Sequence, residues 1–192
     1  MDNIRNFFSG RKIVFVILGI ILFVEVIYTA RVLILPTPPP LSSNRVAQKT
    51  IAKISLNVPK LNFNINETIP VMISINTGSH TISGADLLIH YDAKIIEAST
   101  GGIIKGKTFD EYPLMSVDAN KALISISGVS SLNKSFSGIG QFATLYLKGK
   151  VSGKTALTID FKKGVTTNSN LTEASTSLNI LEQVDNLVLN IQ

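Results

Sequence analysis

The chain has no cysteine and no tryptophan. Without cysteine there can be no disulfide, no thiolate metal ligand and no thiol nucleophile. Without tryptophan, the largest ring for stacking a sugar or anchoring an interface is missing. Histidine is scarce too: only His80 and His90 occur in 192 residues. No zinc motif, phosphate loop or nucleophile elbow is present, and no calcium loop ends in the required glutamate. Asp86 and Asp92 fall on one strand face but too far apart to flank a cleft, and the histidines are read with no acid beside them. Enzymatic activity is not expected, and neither is a cofactor or a metal.

Charge is sparse as well, at 16% of residues with a formal net charge of +5. It is unevenly placed. Arg5, Arg11, Lys12, Arg31, Arg45 and Lys49 stand against Asp2 and Glu25 in residues 1–49, whereas residues 50–192 hold 12 basic and 11 acidic side chains. A nearly neutral globular part argues against nucleic acid as a partner.

What the chain does have is one long apolar run, Ile13 to Leu35, followed by Pro36-Thr37-Pro38-Pro39-Pro40. A helix needs about 20 such residues to cross a ~30 Å hydrocarbon core. Arg5, Arg11 and Lys12 precede the run, so the positive-inside rule puts residues 1–12 in the cytoplasm and the C-terminal part outside. We read 13–35 as an uncleaved transmembrane signal-anchor in the cell membrane. Cleavage after Ala30 is the competing reading, but Tyr28 is bulky for the −3 position. Glu25 is the costly residue of the span; it is read as lying near the outer interface or, alternatively, as an intramembrane contact. Residues 36–50 form a Pro-rich linker, extended by its prolines.

From Ile51 the hydrophobic period becomes two. Ile54, Leu56 and Val58 alternate, as do Val71, Ile73 and Ile75, before a turn expected at Asn76-Thr77-Gly78. Ala85, Leu87, Ile89 and Tyr91 form one face of the next strand, opposite Asp86, Leu88 and His90. Ile124 and Ile126 alternate with Leu123, Ser125 and Ser127. Ala143, Leu145 and Leu147 alternate with Phe142, Thr144, Tyr146 and Lys148. Ala156–Phe161, Leu178–Leu181 and Leu187–Ile191 complete the set, and 101–120 reads as the longest irregular segment. Strands so spaced, punctuated by glycines, predict an all-β sandwich over residues 51–192. Sequons at Asn66, Asn133 and Asn170 are expected in exposed loops.

One stretch adds a resemblance. Ser83-Gly84-Ala85-Asp86-Leu87-Leu88-Ile89-His90-Tyr91-Asp92, running on to Ile95-Ile96-Glu97, resembles the signature strand of the cellulosomal cohesins. Lys121–Gly128, Gly138–Leu147 and Phe161–Asn170 are similar to later cohesin stretches in the same order. The resemblance implies a nine-stranded jelly-roll sandwich that binds a dockerin, a small calcium-loaded module, on one open sheet face. It also implies that Asp86 points outward there and hydrogen-bonds the partner. Leu88, His90, Ser125, Ser127, Thr144, Tyr146 and Lys148 are added to that face by alternation alone. The chain departs from the family in its serines, Ser125, Ser127, Ser130 and Ser131, where several cohesins are apolar or acidic.

The expected function is thus a membrane-anchored extracellular cohesin-like module, with a place in polysaccharide breakdown. Two alternatives stay open. One is a carbohydrate-binding module stacking sugars on Phe142, Tyr112 and Tyr146. The other is a structural cell-surface assembly protein.

Overall fold

The computed structural model describes residues 10–34, 50–131 and 134–192. The expected cytoplasmic tail up to residue 9, linker residues 36–49 and the sequon at Asn133 lie outside them. The chain divides into two compact units, Met1–Gln48 and Lys49–Gln192.

The described part of the first unit is a helix, α1 (Gly10–Ile34). Its described side chains, Val14 to Tyr28, are exposed and apolar apart from Glu25. Among the described residues no helix is long and apolar enough to cross a membrane; the span expected over 13–35 runs beyond the side chains described.

The second unit is built of strands. Twelve occur among the described residues, against the nine expected. They are β1 (Lys53–Asn57), β2 (Asn62–Phe63), β3 (Thr68–His90), β4 (Ile96–Glu97), β5 (Ile103–Lys105), β6 (Glu111–Asp118), β7 (Leu123–Val129), β8 (Phe136–Gly149), β9 (Gly153–Ile159), β10 (Asn170–Glu173), β11 (Gln183–Asp185) and β12 (Leu187–Ile191). β3 is common to both halves of the sandwich. Its first half pairs with β1 and β8, setting Ile75 against Ile54 and Val71 against Leu145. Its second half pairs with β7 and β10, setting Leu87 against Ile126 and Ala85 against Leu171. β6 extends β7, β4 and β5 flank β8, and β11 runs parallel to β1. The end of β3 meets β9, which pairs with β12, and β12 in turn carries β2.

The core follows the alternation. Ile54, Ile69, Val71, Ile73, Ile75, Leu87, Ile89, Ile124 and Ile126 are buried at 1% exposure or less. Branched aliphatics suit this position, because their stiff side chains fill a pleated surface with little rotamer entropy to lose.

The turn expected at Asn76-Thr77-Gly78 is instead a bulge inside β3. Pairing with β8 passes from Asn76–Ile139 to Thr81–Ser137, so residues 77–80 stand against Gly138 alone. Buried Thr77 holds this excursion together: its hydroxyl donates to the His80 carbonyl at 2.7 Å and accepts from the Gly138 amide at 2.9 Å. Gly78 has a φ of +64°, and a Cβ there would sit 2.3 Å from the Thr50 carbonyl oxygen. Turn chemistry was visible in the sequence, but a bulge uses the same residues without reversing the chain.

Three further expectations change. Residues 101–120 are not irregular, for they contain β5 and β6; β6 buries little of itself and carries Pro113, so its alternation is weak. Leu178–Leu181 forms no strand, only an isolated bridge from Asn179 to Thr172. Phe142 is not on the outer face with Tyr146. The β8 register jumps between Ala143–Ile73 and Gln141–Ser74, and the extra residue, Phe142, turns inward. Both Phe142 and Ala143 are fully buried. Phe142 packs perpendicular to Phe109 at 5.8 Å between ring centroids and lies 5.5 Å from Tyr112. The Tyr112 hydroxyl donates to the Phe142 carbonyl at 2.6 Å.

Two substitutions test this account by urea unfolding. Gly78→Ala should destabilise by roughly 1–3 kcal/mol, because it adds left-handed strain and a backbone clash. Phe142→Ala should cost about 3–5 kcal/mol, the range for deleting a buried ring. A neutral Gly78→Ala would show that the bulge is soft.

Candidate functional site

The second half of β3 sets up the candidate face. Its odd residues Ala85, Leu87 and Ile89 fill the core, so Asp86, Leu88 and His90 point out. The register places Asp86 between Ser127 of β7 and Asn170 of β10, Leu88 beside Ser125, and His90 beside Leu123. Five predicted residues thus share one face: Asp86, Leu88, His90, Ser125 and Ser127.

Asp86 is held from both sides. The Ser127 hydroxyl donates to its Oδ1 at 2.5 Å, and the Asn170 amide donates to its Oδ2 at 3.0 Å. Both donors are neutral, so these contacts leave the carboxylate charge uncancelled. Beside it runs a groove of 220 Å³, lined by Leu88, Leu114, Ser125, Ser127, Thr166 and Asn168 among others. The opposite wall is the loop after β9. Buried Ser169 replaces a ladder partner for Leu88: its hydroxyl accepts from the Leu88 amide at 3.0 Å, and the Asp160 amide donates to the Leu88 carbonyl at 2.9 Å.

Thr144, Tyr146 and Lys148 do not join this face. They lie on β8 opposite Met72, Pro70 and Thr68, along the first half of β3. There Tyr146 is exposed near Met72 and Ile104. A second groove, of 360 Å³, borders that region and includes Val58, Pro59, Pro70, Met72 and Thr144. Alternation assigns a residue to one side of its own strand; it does not say which part of the fold that strand pairs with.

The histidines differ from expectation, since each has an acid beside it. His80 Nδ1 lies 2.7 Å from Glu173 Oε1, within β3 and not in a separate loop. His90 Nε2 lies 3.8 Å from Asp160 Oδ2. His90 also borders an open groove of 490 Å³ with Tyr91, Asp92, Lys94 and Thr158. Among the described residues no cluster of three or more His, Asp or Glu is arranged to hold a metal. Glu173 is held below the usual glutamate range by the Thr176 hydroxyl and then by His80. Asp185 is lowered in the same way by Lys53 first, with Gln183 and Ser55 adding hydrogen bonds.

Sequence reasoning missed Asn170, Ser169, Thr166, Asn168 and Leu114 as parts of this site. Asn170 was read as an exposed sequon, yet it is 2% exposed with its amide engaged. Asn66 remains exposed, as expected of a sequon. The signal that pointed to the wall was the polar run Thr166–Asn170 ahead of Leu171.

No family model and no curated protein matches this sequence. Solved structures do match in fold. A type II cohesin domain from the cellulosome of Acetivibrio cellulolyticus superposes with a TM-score of 0.61 at 13% identity, over 73% of this chain and 95% of that one. The sixth cohesin of scaffoldin B from the same organism, solved in complex with a Cel5 dockerin variant, gives 0.59 at 18% identity, over 74% and 100%. A cohesin module from a Clostridium perfringens family 33 glycoside hydrolase gives 0.54 at 12% identity, over 74% and 98%. The β-unit therefore has the cohesin fold.

The lowered carboxylates predict an acid limit to stability. A group with a depressed folded pKa stabilises above its unfolded value, and that contribution is lost as pH falls through the folded one. The melting temperature should hold down to about pH 5 and decline below about pH 4. His80→Ala should make that decline shallower. An unchanged acid profile would mean the His80–Glu173 contact adds nothing.

Proposed function

We propose that this chain is a cohesin-like receptor that docks a dockerin-type module on the Asp86 face. The observation that carries it is the Asp86 carboxylate: outward on the sheet, fixed by neutral donors, beside a groove with Leu88 and Leu114. A preorganised anion next to apolar side chains suits a partner surface that offers a donor and an aliphatic anchor. The shared fold adds support, as does the solution of a similar cohesin module bound to a dockerin. The apolar sequence of 13–35 supports attachment to a membrane with the β-unit outside, where docking would gather enzymes for polysaccharide breakdown.

Sugar binding is the weaker reading. Of the aromatics it relied on, Phe142 is buried and Tyr112 is packed against it, which leaves Tyr146. Surface assembly without sugar chemistry would use the same Asp86 face with a different partner.

The test is capture of partners on residues 49–192, with calcium and again with EDTA. We expect a calcium-dependent partner. Asp86→Ala should weaken it at least about tenfold, as befits a central contact, without moving the unfolding midpoint much. Equal affinity of the Asp86→Ala variant would remove Asp86 from the interface. A partner indifferent to EDTA would favour surface assembly, and loss of glycan binding on Tyr146→Ala would favour the sugar reading.

A further inference from the structure

We propose that Asn170 is a positioning residue that ties the Thr166–Asn168 wall of the groove to the Asp86 carboxylate, making both sides of the site one preorganised unit. The inference rests on the receptor reading of the Asp86 face.

Polar side chains buried below a tenth of their surface are few among the described residues: Thr77, Thr108, Thr155, Ser169 and Asn170. Two of them are adjacent and sit behind this groove. The Asn170 amide nitrogen lies 3.0 Å from Asp86 Oδ2, 3.1 Å from the Thr166 carbonyl and 3.3 Å from the Asn168 carbonyl. Two amide protons thus serve three acceptors, one on the sheet and two in the loop. Asn170 Oδ1 accepts from the Thr172 hydroxyl at 3.2 Å, which orients the amide with its nitrogen toward Asp86. Neither acceptor in the loop is reached by any other side chain of the face. Asn168 completes the wall by donating to Asp160 Oδ1 at 2.7 Å.

An apolar residue would close β10 at lower desolvation cost, as Leu171 does next door. A buried amide linking two loop carbonyls to one exposed carboxylate has a different consequence. The rotamer of Asp86 and the position of the wall cannot vary independently, so the loop samples fewer states before a partner arrives. That saves ordering cost on binding.

The experiment is backbone amide hydrogen exchange on the full chain in detergent, for residues 165–169, with Asn170→Leu, Asn170→Asp and Asp86→Ala. Asn170→Leu keeps the branched outline and removes the donors; Asn170→Asp sets a second carboxylate against Asp86. Both should speed exchange in the loop about tenfold. The decisive variant is Asp86→Ala, because Asp86 touches none of these amides. It too should speed loop exchange, and should add nothing on top of Asn170→Leu. Loop exchange at the wild-type rate in Asp86→Ala would overturn the proposal, even if the Asn170 variants fail to fold. A second arm measures affinity for the calcium-loaded Cel5 dockerin, where Asn170→Leu should lose about tenfold. If the wild-type chain binds no dockerin while loop exchange responds as stated, the receptor reading falls and the positioning role stands. If the wild type binds and Asn170→Leu binds equally, the positioning role falls and the receptor reading stands.

Discussion

A strand of 23 residues, Thr68–His90, outruns the roughly 3–10 residues usual for one layer of a sandwich. Residues 77–80 are set against Gly138 alone, and the strand takes different neighbours on either side of this bulge. Most of the β-unit is arranged on it. The first half of β3 orders β1 and β8, with β4 and β5 on the far side of β8. The second half orders β7 and β10, and β7 in turn carries β6. Ile69, Val71, Ile73 and Ile75 fill the core before the bulge, and Ile82 follows it in the opposite phase. A second register shift, against β10 between Ile82 and Gly84, returns the inward set to Ala85, Leu87 and Ile89 and so turns Asp86 outward. A one-residue slip there would bury the carboxylate and expose Leu87.

Breaks in the ladders explain much of what could and could not be read from the sequence. Most runs of alternating branched aliphatics were legible, because a half-buried strand needs a period of two, although Leu178–Leu181 imitates one and forms only a bridge. The sandwich class was legible for that reason, and the cohesin likeness rested on the Gly84-Ala85-Asp86 strand with its neighbours. Connectivity was not. Asn76-Thr77-Gly78 has the chemistry of a turn whether the chain reverses or merely bulges. Phe142 looked outward by parity, but parity holds only within an unbroken ladder, and the β8 register breaks at that residue. β6 was missed for the opposite reason: as an edge strand with Pro113 it buries too little to impose a pattern.

The candidate site shows the limit more sharply. Asp86, Leu88, Ser125 and Ser127 were found because neighbouring strands of one sheet place them side by side. Thr144, Tyr146 and Lys148 obey the same local rule on another part of the fold. The groove wall was invisible to alternation altogether. Ser169 and Asn170 act through side-chain hydrogen bonds to Leu88 and Asp86. Such contacts join positions about eighty apart in sequence and leave no periodic trace. Read alone, Asn170-Leu171-Thr172 is a sequon; read in place, its amide is structural.

The electrostatics of Asp86 bear on what kind of binding this face supports. Four lysines pair with carboxylates elsewhere: Lys53 with Asp185, Lys60 with Glu67, Lys121 with Asp118, Lys134 with Asp110. A carboxylate paired to a lysine of its own sheet would have little charge left to offer. One held by a hydroxyl and an amide keeps that charge and loses only its freedom to rotate. On the proposed receptor reading, a partner's donor would meet a fixed anion, and hydrogen bonds to ionised groups are roughly twice as strong as neutral ones. The desolvation of that anion would offset much of the gain, so its contribution would be larger in selecting and orienting the partner than in affinity. The apolar contacts of Leu88 and Leu114 would supply the rest. With serines flanking Leu88, the proposal implies a moderate and reversible association in which geometry discriminates between partners.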